Sequence, residues 1–284
     1  MNISKNNTSR TVGMLLFLML LSKGQASPCI LEQQGRREIK ETLSSHTLEE
    51  ERTIVVSLPA DYDAGEGNYT VLFFLDAESL KGWKDCISSV ESLNAKGIAP
   101  EMIVVGIWNT VRNRDMIPAV VAHRPGSGGS LRFLDFLTIE LIPHIQQKYR
   151  ISGFSILYGA SNAGLFTVFA LLEAPETFRA YIASSPMIGH CPDYIQEKVE
   201  SFVSRTNVEE CALYMIYGDQ DSERVTRFVP ALQEFLDSNA PERFRSRLDI
   251  LRGEGHVPES SLSRGLNYIF TRADNPHASG KTLR

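Results

Sequence analysis

Hydrophobic and polar positions along this chain fall into a repeating rhythm. Short continuous apolar runs alternate with longer stretches in which apolar residues recur every three or four places. TIVVSL (53–58), TVLFFL (70–75) and MIVVGI (102–107) are runs of the first kind. FSILY (154–158), AYIA (180–183), LYMIY (213–217) and RLDIL (247–251) continue the series. Runs without alternation are what a strand buried on both faces requires. Between them, 79–96, 131–148, 165–172, 194–203, 225–236 and 262–270 carry helical spacing, clearest in Leu131, Leu134, Leu137, Leu141 and Ile145. The stretch 109–129, rich in Arg, Pro and Gly, reads as a loop. Strands separated by helices predict an α/β fold, with a mostly parallel central sheet and helices on both faces. Short antiparallel strands before residue 60 are expected to form a small N-terminal edge.

The first residues stand outside this rhythm. Lys5 and Arg10 lead into VGMLLFLMLL (12–21), and Gly24-Gln25-Ala26 puts small residues at the −3 and −1 positions of a cleavage site. This reads as a secretory signal peptide, shorter than the ~20 residues of a membrane span; an uncleaved membrane anchor is the competing reading. The expected organisation is a signal peptide at 1–26, a single domain at 27–272 and a polar tail at 273–284. The product is expected to be exported, periplasmic or secreted, with no stable membrane insertion after cleavage.

Composition narrows the classes. With 284 residues, 43% of them hydrophobic, the chain can bury a sizeable core of its own and is too large for a small disulfide-stapled scaffold. The formal net charge is −5, and removing the leader takes away Lys5, Arg10 and Lys23 but no acidic residue. An acidic chain without a Lys/Arg cluster lacks the electrostatic footprint of a nucleic-acid binder. Export permits disulfides among Cys29, Cys86, Cys191 and Cys211, in any of three pairings. A Cys191–Cys211 bridge, closing a loop around the helix between them, is favoured; free buried thiols are the alternative. The cysteine spacings match no zinc knuckle, so neither metal nor cofactor is expected.

In parallel sheets, ligands sit beyond the carboxyl ends of the strands. The residues there are Asp76-Ala77-Glu78, Ser161 within LYGASNAGLF (157–166), Gly218-Asp219-Gln220-Asp221, and Gly253-Glu254-Gly255-His256. A serine, an acid and a histidine follow in the chain order of α/β-hydrolase triads. A serine hydroxyl becomes an effective nucleophile when a base takes its proton as it attacks. Histidine suits that task, and an acid fixes its tautomer and steadies the imidazolium. Ser161 is therefore the candidate nucleophile and His256 the candidate base. Asp221 is the favoured acid over its loop neighbours Asp219 and Glu223, with Asp219 expected to bond the turn backbone. Oxyanion donors would be the N–H of Asn162 and that of Ala77 or Glu78. Arg112 and Arg114 are candidate substrate contacts or structural ion pairs. The glycine pattern departs from G-x-S-x-G, with Ala163 in the second glycine position and Gly164 one place late.

Several stretches together resemble esterases of the enterochelin (ferric-siderophore) esterase type: VSLPADYD (56–63), VLFFLDAES (71–79), MIVVGIWNTVRNRDMIP (102–118), SGGSLRFLDFLTIELIPHIQQKYR (127–150) and GEGHVPESSL (253–262). The resemblance spans roughly 52–270. It implies an α/β-hydrolase fold, serine-esterase chemistry at Ser161 and His256, backbone donors near Ala77/Glu78 and at Asn162, and a small-molecule ester substrate: a siderophore trilactone, with small acyl esters, thioesters and acetylated sugars as the alternatives. The family's Gly-His-Ser-x-Gly-Gly and Asp-Gly appear here as Gly-Ala-Ser-Asn-Ala-Gly and Asp76-Ala77. Two other functions fit the same pattern: acyl transfer through the same acyl-enzyme, and non-catalytic binding on a degenerate hydrolase fold.

Overall fold

The computed structural model describes residues 29–33 and 35–271. The leader and the tail expected from the sequence lie outside the described residues. Strands β1 (Cys29–Gln33), β2 (Arg36–Ser45) and β3 (Glu50–Leu58) form an antiparallel meander. β4 (Tyr69–Leu75), β5 (Met102–Ile107), β6 (Ile151–Ala160), β7 (Ala180–Ser184), β8 (Cys211–Gly218) and β9 (Phe244–Leu251) follow. They join in one sheet in the order β1-β2-β3-β5-β4-β6-β7-β8-β9. β3 meets β5 antiparallel, and every pairing from β5 to β9 is parallel. This is the expected mostly parallel α/β-hydrolase sheet with an antiparallel N-terminal edge.

Period-two alternation within the strands sorts the core into two layers. Leu72 and Phe74 of β4 face the side covered by α1 (Leu80–Ala95) and α9 (Ser261–Phe270). Val71, Phe73 and Leu75 face the other side. That side is covered by α2 (Arg112–Met116), α3 (Ser130–Asp135), α4 (Ile142–Lys148), α5 (Asn162–Glu173), α6 (Pro192–Val203), α7 (Glu223–Thr226) and α8 (Phe228–Asn239). α5 is buried on all sides from Asn162 to Leu172, which explains why its sequence shows no polar face. The register aligns the strand ends: Leu75 lies opposite Ile107, Ser184 opposite both Ala160 and Ile216, and Gly218 opposite Leu251. The loops after β4, β6, β7, β8 and β9 therefore share one rim.

Three expectations change. The helix expected at 131–148 is broken into α3, a π-helical turn (Phe136–Leu141) and α4. Pro143 has no N–H to continue the ordinary ladder, and the Ile142 N–H reaches five residues back to the Leu137 carbonyl. The loop expected at 109–129 contains α2. The Cys191–Cys211 bridge is not formed; both residues, like Cys86, are free buried thiols. Cys191 caps the rim end of α6, while Cys211 begins β8 at the opposite end of the sheet. The twelve-residue helix between them spans roughly 18 Å, against the ~7 Å Cα separation a disulfide tolerates. Burial pushes the Cys191 thiol up to about 11 and that of Cys211 up to about 12.

Candidate active site

Ser161 sits at the turn from β6 into α5, with φ 60° and ψ −118°. A non-glycine residue holds such angles only where its surroundings over-determine them. Its N–H donates to the Ser184 carbonyl at 2.9 Å, and its carbonyl accepts from Leu165 at 3.0 Å and from Met187 at 3.3 Å. The flanking glycines make this turn sterically accessible. A Cβ on Gly159 would stand 2.2 Å from the Ala163 carbonyl oxygen, and one on Gly164 would stand 2.7 Å from the Ser184 carbonyl oxygen. The close approach falls at 159 and 164, so alanine fits at 163, where it is fully buried.

The loops after β8 and β9 bring a histidine and a carboxylate to this serine. His256 Nε2 lies 2.9 Å from Ser161 Oγ, and Nδ1 lies 2.9 and 3.0 Å from the two oxygens of Asp221. The Asp221 side chain is 1% exposed, whereas that of His256 is 44% exposed. An ionised carboxylate only accepts, so Nδ1 donates to Asp221 and Nε2 is left to accept from the serine hydroxyl. Asp221 also accepts from the Ser222 N–H at 2.6 Å. The neighbouring acids are engaged elsewhere. Asp219 Oδ1 accepts from the Gly253 N–H at 2.8 Å and so stitches the two loops together. Glu223 is solvent-exposed and pairs with Arg227.

The loop after β4 supplies the other wall. Asp76 has φ 60°, and its carboxylate binds the Arg112 guanidinium through Nε and Nη2, the latter at 2.7 Å. It also accepts from Asn109 Nδ2, and that amide donates to Glu78 Oε1 at 2.9 Å. Side chains thus brace this loop. The Ala77 N–H donates to the Ile107 carbonyl at 3.1 Å and is taken out of use as an oxyanion donor. Among the described residues no acceptor meets the N–H of Glu78 or of Asn162. Asn162 opens α5, so the positive end of a twelve-residue helix dipole lies beside the serine. Below the rim, a cleft of about 260 Å³ runs between this loop and the histidine loop, lined by Phe74, Ser79, Tyr158, Val257, Pro258 and Leu262.

The two candidate arginines diverge. They lie two places apart on α2 and so point to different faces. Arg112 reaches the rim, holding Asp76 and approaching the Ala160 carbonyl at 3.4 Å. Arg114 points inward to Glu50 (2.6 Å) and to the fully buried Asp115 (2.7 Å), which also pairs with the fully buried Arg52. The expectation that Arg114 contacts substrate is corrected: its guanidinium is occupied by a structural ion network. His190 is buried and bonded through Nδ1 to His123 at 2.9 Å. Burial, aided by Arg124, His123 and Arg224, lowers its pKa to about 4. Asn109 and Ser185 carry no chemical signature in the sequence and emerge only from the fold, as partners of the loops after β4 and β9.

A serine hydroxyl, an imidazole and a buried carboxylate in hydrogen-bonded series, on the rim of this sheet, define a serine hydrolase of the α/β-hydrolase class. The chain belongs to the esterase family described as "Putative esterase", whose model matches residues 45–258, and it is a serine ester hydrolase. It is similar to the ferri-bacillibactin esterase BesA of Bacillus subtilis, with 27% identity over 257 residues covering 80% of this chain and 86% of the relative. It is 28% identical over 246 residues to the siderophore triacetylfusarinine C esterase of Aspergillus fumigatus, covering 74% and 84%. Among solved structures, the IroE-like serine hydrolase of Shewanella oneidensis aligns with a TM-score of 0.73 and 26% identity, over 81% of this chain and 79% of that one.

Proposed function

We propose that Ser161 is the nucleophile, His256 the general base and acid, and Asp221 the residue that orients the imidazole. The observation that carries this reading is the unbroken hydrogen-bond series from Asp221 through His256 to Ser161, each link between 2.9 and 3.0 Å. Ser161 Oγ attacks the ester carbonyl carbon while His256 Nε2 takes its proton. The carbonyl oxygen becomes an oxyanion facing the N–H groups of Asn162 and Glu78. Collapse expels the alcohol, which takes the proton back from His256, and leaves an acyl-enzyme. Water then repeats the sequence and frees the acid. Arg112 acts on this rim by fixing Asp76 and with it the loop that carries Glu78.

The substrate we propose is a small-molecule carboxylic ester of the siderophore type, on a protein exported after loss of residues 1–26. The siderophore-esterase activities for which the bacterial and fungal relatives are named support the substrate class, and the charged–apolar–small pattern of the leader supports export.

A fluorophosphonate probe should label the protein at Ser161, and Ser161→Ala should lose labelling together with a factor of about 10⁴–10⁶ in kcat on p-nitrophenyl butyrate. Unchanged activity in Ser161→Ala would sink the mechanism. A cyclic triester siderophore cleaved with a kcat/KM no better than that of p-nitrophenyl butyrate would sink the substrate class while leaving the mechanism intact.

A further inference from the structure

Two residues beside the site hold backbone angles that side chains disfavour, and they are bonded to each other. Ser185, directly after β7, has φ 44°, and Val257, directly after His256, has φ 58°. For a β-branched residue this region is a genuine outlier. The Val257 N–H donates to Ser185 Oγ at 2.8 Å. Ser185 is fully buried, and its own N–H donates to the Ile216 carbonyl of β8 at 2.7 Å. The hydroxyl is thus presented from the sheet itself and not from a mobile loop.

The histidine loop is held differently at its two ends. Before His256 it is stitched to the loop after β8, through Gly253 N–H to Asp219 Oδ1 and through Gln220 N–H to the Glu254 carbonyl at 3.0 Å. After His256 the first tie is the Val257–Ser185 bond. Next comes the Pro258 carbonyl, which accepts from Ser261 Oγ, and that hydroxyl lies 2.8 Å from Ser184 Oγ. Two consecutive serines at the end of β7 therefore anchor the far side of the loop. Since the His256 side chain is 44% exposed, packing alone does not set the ring's direction. Asp221 and the backbone on either side of it do.

We propose that Ser185 is a positioning residue for ester hydrolysis: its hydroxyl pins Val257 in a left-handed conformation that aims His256 Nε2 at Ser161. The proposal rests on His256 being the base. Without the bond, Val257 relaxes toward negative φ, and the peptide it shares with His256 turns with it. Misplacement of a catalytic group by about 1 Å is worth up to roughly a hundredfold in rate.

The test compares Ser185→Gly, Ser185→Ala and Ser185→Gly combined with Val257→Gly, using p-nitrophenyl butyrate and referring kcat to the folded fraction from thermal melts. Glycine takes φ 44° without strain, so Ser185→Gly removes the hydroxyl while sparing the backbone. Both single variants should lose roughly tenfold or more in kcat, with KM within about twofold of the parent. Adding Val257→Gly to Ser185→Gly should restore much of that kcat, because glycine takes the positive φ without strain where valine needs the bond; a merely structural serine would give no such rescue. The proposal is overturned if kcat per folded molecule is unchanged in both Ser185 variants, or if the two glycine substitutions compound each other's losses. His256→Ala separates the two levels. Activity retained in His256→Ala removes the base assignment itself, whereas an inactive His256→Ala beside a fully active Ser185→Gly removes only the clamp.

Discussion

Ala163 occupies a place where the usual elbow has glycine, and the backbone around it shows why it is tolerated. The tight approaches run from Gly159 to the Ala163 carbonyl and from Gly164 to the Ser184 carbonyl. Position 163 contributes its carbonyl to the crowding and sends its methyl into the apolar core. Gly159→Ala should therefore force β6 and α5 apart at the serine, losing stability and most of the activity together. Ala163→Gly should cost about 1–2 kcal/mol, from helix propensity and the lost buried methyl, and leave kcat near the parent value. Denaturant melts and p-nitrophenyl butyrate turnover measure both. The same scale shows what the sequence can and cannot resolve. Chain order placed a serine, an acid and a histidine at the ends of β6, β8 and β9, because strand ends are readable from apolar runs. The turn spacing favoured Asp221 over Asp219 and Glu223 and gave Asp219 a backbone partner in its own turn; the folded loop gives it instead the Gly253 amide of the histidine loop. The choice between Ala77 and Glu78 likewise turned on one backbone bond to Ile107, invisible to any spacing argument.

At the scale of the element, α2 divides two tasks within five residues. Arg112 steadies the rim through Asp76, and Arg114 closes a network with Glu50, Asp115 and Arg52 beneath it. The Arg114 guanidinium holds the Glu50 carboxyl below its usual range. Arg114→Met should then lower stability by about 1–3 kcal/mol, since it strips hydrogen bonds from two carboxylates, while KM stays put. Arg112→Met should show the opposite split, with a modest change in stability and a severalfold fall in kcat as the loop carrying Glu78 loosens. Melting curves and steady-state kinetics on the two variants check both halves. The features that the apolar pattern left without bounds each have their own cause. The inward positions of β2 carry Arg36 and Glu38, satisfied by Ser57 and by the Trp83 indole, so its burial leaves little trace in hydropathy. α2 is a single short turn dominated by charged side chains. The break at 136–141 follows from one proline whose effect on the ladder depends on the packing around it.

Across the whole molecule, the buried imidazole of His190 links stability to pH. Its folded pKa, lowered to about 4, lies below the ordinary value of about 6.5 expected in the unfolded chain. Between those values the unfolded chain binds a proton that the folded protein refuses, so stability should fall as pH drops from about 6.5 toward 4. His190→Gln should flatten that part of the curve. Comparing thermal melts of parent and variant at pH 7, 6 and 5 isolates the effect, because Glu50, held low by Arg114, gives way only in more acid solution. A parent curve flat between pH 7 and 5 would remove His190 from this role.

The three sulfurs sealed among the described residues bear on how the chain must come into being. In the native protein Cys86, Cys191 and Cys211 are buried, and burial keeps their thiols protonated and so unreactive. The unfolded chain has no such shelter, and there the same groups ionise near their ordinary value of about 8.5. In the oxidising surroundings proposed for this protein, folding therefore races oxidation. A chain that closes its sheet first locks these three sulfurs away for as long as it stays folded. A chain cross-linked first between positions 191 and 211 has tied together points that the finished fold holds a helix length apart, and for that molecule the native state is out of reach.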